Sequence, residues 1–415
     1  SSKAALSLTL PKTQQEYHSP YLFPFFFNML SEGVNRKLQS TQLRIDEKDH
    51  FGLLLATAQF DTVGAVTVKP LKHWSAMYDF PFSIEVCPGT LAEGFSTYSP
   101  SCLRNLFNGK KVSPILPYDP PQQSEEVTEQ FIENRKRISI SGVQEKLSLI
   151  LEKNRLRLTK AGEQGTYILK PIPRDLKKVD QVPANEHLTM QIARQVYGIN
   201  TAENALIFFK NGTAAYLTKR FDVKNDTEKW GKEDFATLAG KTSDSAGPNY
   251  KYTYSYEEMG GLIRQYVPAW RVEIEKFFAL VVFNFVFSNG DAHLKNFSLL
   301  ESSQGDYLLS PAYDLINTRL HVDDTDFALD KGLFVDDFRS EAYKKNSHAN
   351  QADFVEFAKR IGVNEPRIDK LLQPFLARQP LVESLIQRSF LNDPAKRGYL
   401  LDYQTKRNNL TAWIE

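Results

Sequence analysis

The chain has 415 residues, 41% hydrophobic and 24% charged, which excludes disorder, collagen and coiled coil as descriptions of the whole. Lys plus Arg number 51 and Asp plus Glu 50, so a net charge of +1 tells against a general polyanion binder and leaves room only for a local basic patch. The two cysteines, Cys87 and Cys102, are too few for a disulfide scaffold or a four-thiolate zinc module and are expected in the core.

Residues 6–11 alternate apolar and polar and end in proline, which predicts a half-buried strand. The Phe-rich stretch 21–30, followed by Ser31-Glu32-Gly33, predicts a short buried helix with a glycine stop. A strand is predicted at 63–68, and a first boundary near Pro70-Leu71-Lys72. Residues 73–137 are poorly periodic. Pro114, Pro117, Pro120 and Pro121 punctuate an exposed connector, and 122–137 predicts a helix ending in Arg135-Lys136-Arg137. Strands are predicted at 148–151, 155–159 and 167–170, with Asn154, Gly162 and Gly165 in the turns.

Leu188, Ile192 and Val196 recur every four residues and predict an amphipathic helix over 186–197, closed by Gly198. Asn211-Gly212 predicts a hairpin between strands 205–209 and 214–219. Beyond Asp222 the pattern turns helical, at 256–266, 272–288, 352–361, 368–377 and 381–390, with a short strand at 307–309. The longest apolar run, 277–287, is broken by Asn284 and is far shorter than the roughly 20 residues a membrane helix needs. No charged segment with an apolar signal core opens the chain, so a soluble cytoplasmic protein is expected. The missing starting methionine reads as a trimmed chain or one that follows a tag.

Residues 289–296, Asn-Gly-Asp-Ala-His-Leu-Lys-Asn, follow the long apolar helix and set Asp291 and Asn296 five positions apart. That is the spacing of the protein-kinase catalytic loop. The Asp must face an attacking hydroxyl, and the Asn carbonyl must reach magnesium on the phosphates. Asp314, after a short strand, can complete an oxygen-rich magnesium site with Asn296. Read singly, Asp291 is a loop residue and Asp314 a turn former; together they shift the reading to function.

The segment 138–146, Ile-Ser-Ile-Ser-Gly-Val-Gln-Glu-Lys, offers small residues whose N–H groups could cover phosphates, although it is neither G-x-G-x-x-G nor a Walker loop. Lys170 ends an apolar strand, with Glu186 as a candidate partner. Ala239-Gly240-Lys241-Thr242 ends like a Walker A loop, but the first glycine would fall on Phe235, so it is discarded. The seven histidines do not cluster, and only His293 stands beside other candidates.

In order, these pieces resemble the HipA family of bacterial toxin–antitoxin serine/threonine kinases. Residues 59–67 resemble the end of its N-terminal subdomain, 137–146 its Gly-rich loop and 167–170 its ATP-lysine strand. Arg220-Phe221-Asp222 resembles its hinge, and 290–297 with Tyr313-Asp314 its catalytic loop and metal aspartate. The resemblance implies an α+β, two-lobed, protein-kinase-like fold. It would comprise an N-terminal subdomain at 1–72, a connector and N-lobe at 73–222, and a helical C-lobe at 223–415.

The resemblance also implies ATP and Mg2+ as cofactors, with Asp291 as catalytic aspartate and Asn296 and Asp314 as magnesium ligands. Ser141, Gly142, Val143, Gln144, Glu145, Lys146 and Lys170 would hold the ATP phosphates. Lys219, Arg220 and Phe221 would line the adenine side, and His293, Lys295, Asn296 and Tyr313 would close the site. Ser139 matches the family's autophosphorylated serine. A shorter-chain branch with Ser-x-Ser before the loop glycine makes Ser141 the other candidate. The implied partners are a helix-turn-helix antitoxin of the HipB type, operator DNA reached through it, and a protein substrate in translation such as an aminoacyl-tRNA synthetase.

Residues 73–120 depart from the family pattern. Cys87-Pro88-Gly89-Thr90 and Ser101-Cys102-Leu103-Arg104 look like a decayed cysteine knuckle, as found ahead of the kinase in some shorter relatives. The expectation is a normally separate small subunit joined to such a kinase, with the family's first strands missing before Ser1. Two other functions stay open: a small-molecule kinase of the aminoglycoside or choline kinase type, and a catalytically silent co-repressor.

Overall fold

The computed structural model describes residues 40, 41, 43, 45, 46, 48–57, 83–120, 146–160, 162–173, 177–225 and 228–412. The elements expected at 6–11, 21–30, 63–68 and 122–137 lie outside these residues. The described residues divide into two units. One holds those of 40–57 with 115–120 and 208–213; the other holds 83–114, 146–207 and 214–412. In the first unit, α1 (His50–Thr57) buries Leu53 and Leu54, and Tyr118 meets Phe209 edge-on at 6.2 Å.

The second unit opens with a correction. Within the stretch read as poorly periodic, Pro100–Phe107 forms a helix, α2. Its signals are local. Ser99 caps it, proline sits in its first turn, and Asn108 ends it at φ 53. Buried Cys102, Leu106 and Phe107 give it one apolar face too short to register as a period.

Strand alternation is realised in an antiparallel sheet. β1 (Leu147–Glu152), β2 (Arg155–Leu158), β3 (Tyr167–Lys170), β4 (Asn204–Phe208) and β5 (Ala214–Lys219) run in the order β2-β1-β3-β5-β4. The register sets Leu147 opposite Leu169 and Lys170 opposite Tyr216. The hairpin turn forms at Asn211-Gly212, where Gly212 takes φ 85 and the Asn211 carboxamide accepts the Thr213 N–H at 2.9 Å. Between β3 and β4 runs α3 (Val182–Gln195), which starts four residues before the expected 186 because Pro183 fits its first turn.

α3 is buried from Val182 to Ala193, polar residues included. Buried polar groups need partners, and each has one. Asn185 bonds Asn317, Glu186 bonds Lys170, His187 bonds the Gly89 carbonyl, Thr189 shares a bond with Tyr399, and Gln191 bonds Asn204.

The rest of the unit is mainly helical. α4 (Tyr256–Tyr266), α5 (Trp270–Val286), α6 (Gln351–Ile361), α7 (Glu365–Leu376) and α8 (Pro380–Arg388) match the expected helices within a few residues. α5 is apolar nearly all round, so it must be buried, and α4, α6, α7 and α9 (Asp393–Thr411) pack on it. The long α9 escaped the sequence reading. Its inward stripe is Ala395, Tyr399, Tyr403, Lys406 and Leu410, and with two tyrosines and a lysine among the five, hydropathy alone does not mark it. A second sheet, β6 (Lys232–Asp234), β7 (Ser298–Glu301) and β8 (Tyr307–Leu309), interrupts the helical half; only β8 was expected.

Candidate active site

The loop after α5 is fixed by a helix forced to end. Ser288 turns left-handed at φ 53. The Asn289 N–H donates to the Asn284 carbonyl at 2.8 Å, and its carboxamide donates to the Asn284 side chain at 2.9 Å. Asn284, the break in the apolar run, is thus the anchor of the loop. On the other side, Thr318 Oγ1 accepts the Gly290 N–H at 2.9 Å and donates to the Ser288 carbonyl at 3.0 Å.

Asp291 projects from this pinned turn with its side chain 49% exposed. Its Oδ1 accepts the Tyr252 hydroxyl at 2.8 Å, and His293 Nε2 stands 3.8 Å away. The Asp291 carbonyl accepts the His293 N–H and Asn296 Nδ2, both at 2.8 Å. His293 is buried, and its Nδ1 has no hydrogen-bond partner. Burial pushes its pKa below the usual imidazole value against the pull of Asp291, so the ring is neutral at physiological pH.

A second cluster gathers at the end of β3. Lys170 is buried, donates to Glu186 Oε1 at 2.7 Å and also bonds Asp314 Oδ1. Lys146 lies 4.0 Å from the other Asp314 oxygen. Burial alone would lower the Lys170 pKa, but Asp314 and Glu186 outweigh it and raise it. Burial likewise acts to raise Asp314, yet Lys170 and Lys146 hold it well below the usual carboxylate range. Glu186 is pushed up to about 7 by burial, with Lys170 opposing and Asp314 adding to the rise.

Asp314 takes a left-handed backbone, φ 57. Short polar side chains tolerate this region, but it stores of order 1–3 kcal/mol and persists only where neighbours hold it. Here Ala312 does so, bonding Asn200 and Ala202 through backbone groups at 2.8 and 2.9 Å.

The remaining expected residues divide. Tyr313 donates its hydroxyl to the Lys295 carbonyl at 2.9 Å, accepts from Ser298 at 2.5 Å, and its ring lies 5.8 Å from Phe221. Lys295 pairs with Asp234 at 3.0 Å, and Arg220 clasps Asp222 through two nitrogens. The Lys219 ammonium lies apart from the Lys170 cluster and bonds the Asn105 carbonyl within α2 and the side chain of its C-cap, Asn108. Ser139, Ser141, Gly142, Val143, Gln144 and Glu145 lie outside the described residues. Among the described residues no helix is long and apolar enough to cross a membrane.

Tyr252, Lys232, Thr318 and Asn185 escaped the sequence reading. Lys232 sits 4.8 Å from the Tyr313 ring. Asn185 Nδ2 donates to the Asn317 carbonyl at 2.8 Å and its Oδ1 accepts the Asn317 N–H at 3.2 Å, which ties α3 to the chain just after Asp314. Replacing Asn185 with leucine leaves those backbone groups unpaired. Urea unfolding is expected to show a loss of about 1–3 kcal/mol; an unchanged midpoint would remove this tie from the account.

The fold and this arrangement define a kinase-like protein. The sequence model of the HipA-like C-terminal domain matches residues 138–380, and that of the HipA N-terminal domain matches residues 1–69. The chain belongs to the HipA family. A Haemophilus influenzae protein named "Putative kinase" is 27% identical over 320 residues, covering 73% of this chain and 89% of that protein. "Putative kinase Y4mE" of Sinorhizobium fredii is 26% identical over 327 residues, covering 77% and 69%. Among solved structures, a chain of the Shewanella oneidensis MR-1 toxin–antitoxin complex of HipA, HipB and operator DNA superposes with a TM-score of 0.53. Identity there is 19%, over 93% of this chain and 84% of that one, so the likeness is one of fold.

Proposed function

We propose that this chain is an ATP-dependent serine/threonine-protein kinase and the toxin of a toxin–antitoxin pair. The observation that carries the reading is buried Lys170 held between Glu186 and Asp314, in the same unit as a pinned loop bearing Asp291 and Asn296. The proposed organisation is an N-terminal subdomain at 1–72, a connector and N-lobe at 73–222, and a C-lobe at 223–415.

Lys170 supplies a fixed positive charge for nucleotide phosphates, with Lys146 and the 141–145 segment beside it. Asp314 and the Asn296 amide oxygen are hard donors that suit magnesium. The Asn296 nitrogen is already taken by the Asp291 carbonyl, so its oxygen is the atom left for a cation. Magnesium bound there would neutralise charge on the phosphate oxygens.

Asp291 takes the proton of the attacking hydroxyl. Tyr252 already makes the hydroxyl-to-carboxylate bond this step needs, and a substrate Ser or Thr would replace it. Neutral His293 adds no competing charge. Phe221 and Tyr313 present rings to the adenine side, with Arg220 held by Asp222 and Lys219 contributing backbone.

Ser139 and Ser141 are the proposed autophosphorylation sites. A phosphate there adds about −1.5 to −2 charge and would repel ATP. The proposed partners are a HipB-type antitoxin, operator DNA through that antitoxin, and a translation protein, of the aminoacyl-tRNA synthetase class, as substrate. The match to the HipA N-terminal domain and the likeness to a chain of a HipA–HipB–operator complex support this reading.

Phosphosite mapping after incubation with Mg-ATP tests it. Phosphate is expected on Ser139 or Ser141 in the wild type, and none after Ser139→Ala with Ser141→Ala. Transfer to a small alcohol with both serines bare would favour the small-molecule kinase. Nucleotide binding without turnover would favour the silent co-repressor.

A further inference from the structure

Cys87 and Cys102 take no part in the proposed reaction, yet Cys87 is set in a cradle of donors. Its Sγ accepts backbone N–H groups from Gly89 and Thr90, each at 3.4 Å, and from Ser99 at 3.0 Å. Such donors favour a thiolate. A bond from the Cys102 thiol adds to them and, against burial, brings Cys87 down to about 4; the same bond and burial raise Cys102 well above the usual thiol value. Both sulfurs pack against Gly89, where a Cβ would overlap the Cys102 Sγ.

Access is one-sided. Cys87 is 0% exposed and Cys102 5%. Cys102 lines a surface pocket of about 340 Å³ with Asn105, Gln191, Arg194 and Arg388, wide enough for a small polar oxidant. The turn bearing Cys87 is also fastened to α3. The Gly89 carbonyl accepts His187 Nε2 at 3.0 Å, and the Thr90 carbonyl accepts Gln195 Nε2 at 2.9 Å. His187 directly follows Glu186, the partner of Lys170.

We propose that Cys87 and Cys102 form a reversible disulfide on reaction with hydrogen peroxide, a modification site distinct from the phosphoryl-transfer site. Peroxide entering from that pocket passes Cys102 to meet Cys87, whose thiolate attacks one peroxide oxygen; the O–O bond breaks, and hydroxide leaves and takes the Cys102 proton to become water. The Cys102 sulfur then attacks the Cys87 sulfenic acid. The S–S bond forms, the S–O bond breaks, and the second hydroxide takes the proton that Cys87 had released. The two sulfurs lose two electrons and peroxide yields two waters. A dithiol reverses the step.

The test uses the full chain, folded and in urea, treated with hydrogen peroxide, then alkylated and digested without reduction for mass spectrometry. A Cys87–Cys102 cross-linked peptide is expected, forming at least about tenfold faster in the folded chain because the cradle supplies the thiolate and holds the second sulfur beside it. Dithiothreitol should remove it. Cys102→Ser should instead leave a sulfenic acid on Cys87 that dimedone traps. If that variant does not fold, the wild-type comparison decides alone. Two free thiols after peroxide, over-oxidised Cys87 without a cross-link, or equal rates in folded and unfolded chain would each overturn the proposal.

Discussion

Asp291→Asn is expected to lower phosphoryl transfer by about a hundredfold to ten-thousandfold, the usual range for loss of a general base, with the fold unchanged. The amide has nearly the shape of the carboxylate but cannot take the hydroxyl proton. Little stability depends on the charge, because Asp291 is half exposed and its side-chain hydrogen bond comes from Tyr252, which an amide oxygen can still accept. The measurement is phosphate incorporation from Mg-ATP, with circular dichroism as the folding control. Wild-type rates in the variant would take Asp291 out of the reaction.

Lys170→Met is expected to cost about 3–5 kcal/mol of stability before any substrate is present, because removing one partner of a buried ion pair strands the other. Glu186 and Asp314 would then face each other, with the Lys146 ammonium 4.0 Å from Asp314. Denaturant unfolding of the full chain reads this directly.

The pH dependence has a definite sign. Glu186 titrates at about 7 in the fold against 4.5 unpaired, so its contribution is full below 4.5 and is lost as pH rises through 7. Asp314 is lowered, so its contribution is present above the usual 3.8 and is lost as pH falls. The cluster therefore contributes most at mildly acidic pH. Without Lys170, Glu186 is harder to ionise, and the gap between variant and wild type should widen with rising pH. A gap that stays flat or narrows would mean the two carboxylates do not share this cluster.

The strands 147–152 and 167–170 and the apolar α5 were legible because each follows a local period, two for a pleated strand and all-round burial for a core helix. The Asp291-to-Asn296 spacing was legible because one loop carries both groups. α2 was legible in principle from its Ser-Pro start and Asn-Gly end, and was missed because its apolar face spans barely a turn. α9 was not, since tyrosine and lysine do the inward packing.

The sequence by itself determined the order of β1 to β5 and of α3 to α8, the loop that bears Asp291 and Asn296, and the family, because these rest on short-range spacing. The tertiary structure alone decided which groups meet. Lys170 finds Asp314 across 144 residues, and Asn185 finds Asn317 across 132. It sent the Lys219 ammonium to Asn108, put the Tyr252 hydroxyl on Asp291 and set two cysteines around one glycine. No periodicity encodes such pairs; they follow from how the sheet, α3 and α5 bury their faces, and from the need of every buried polar group for a partner.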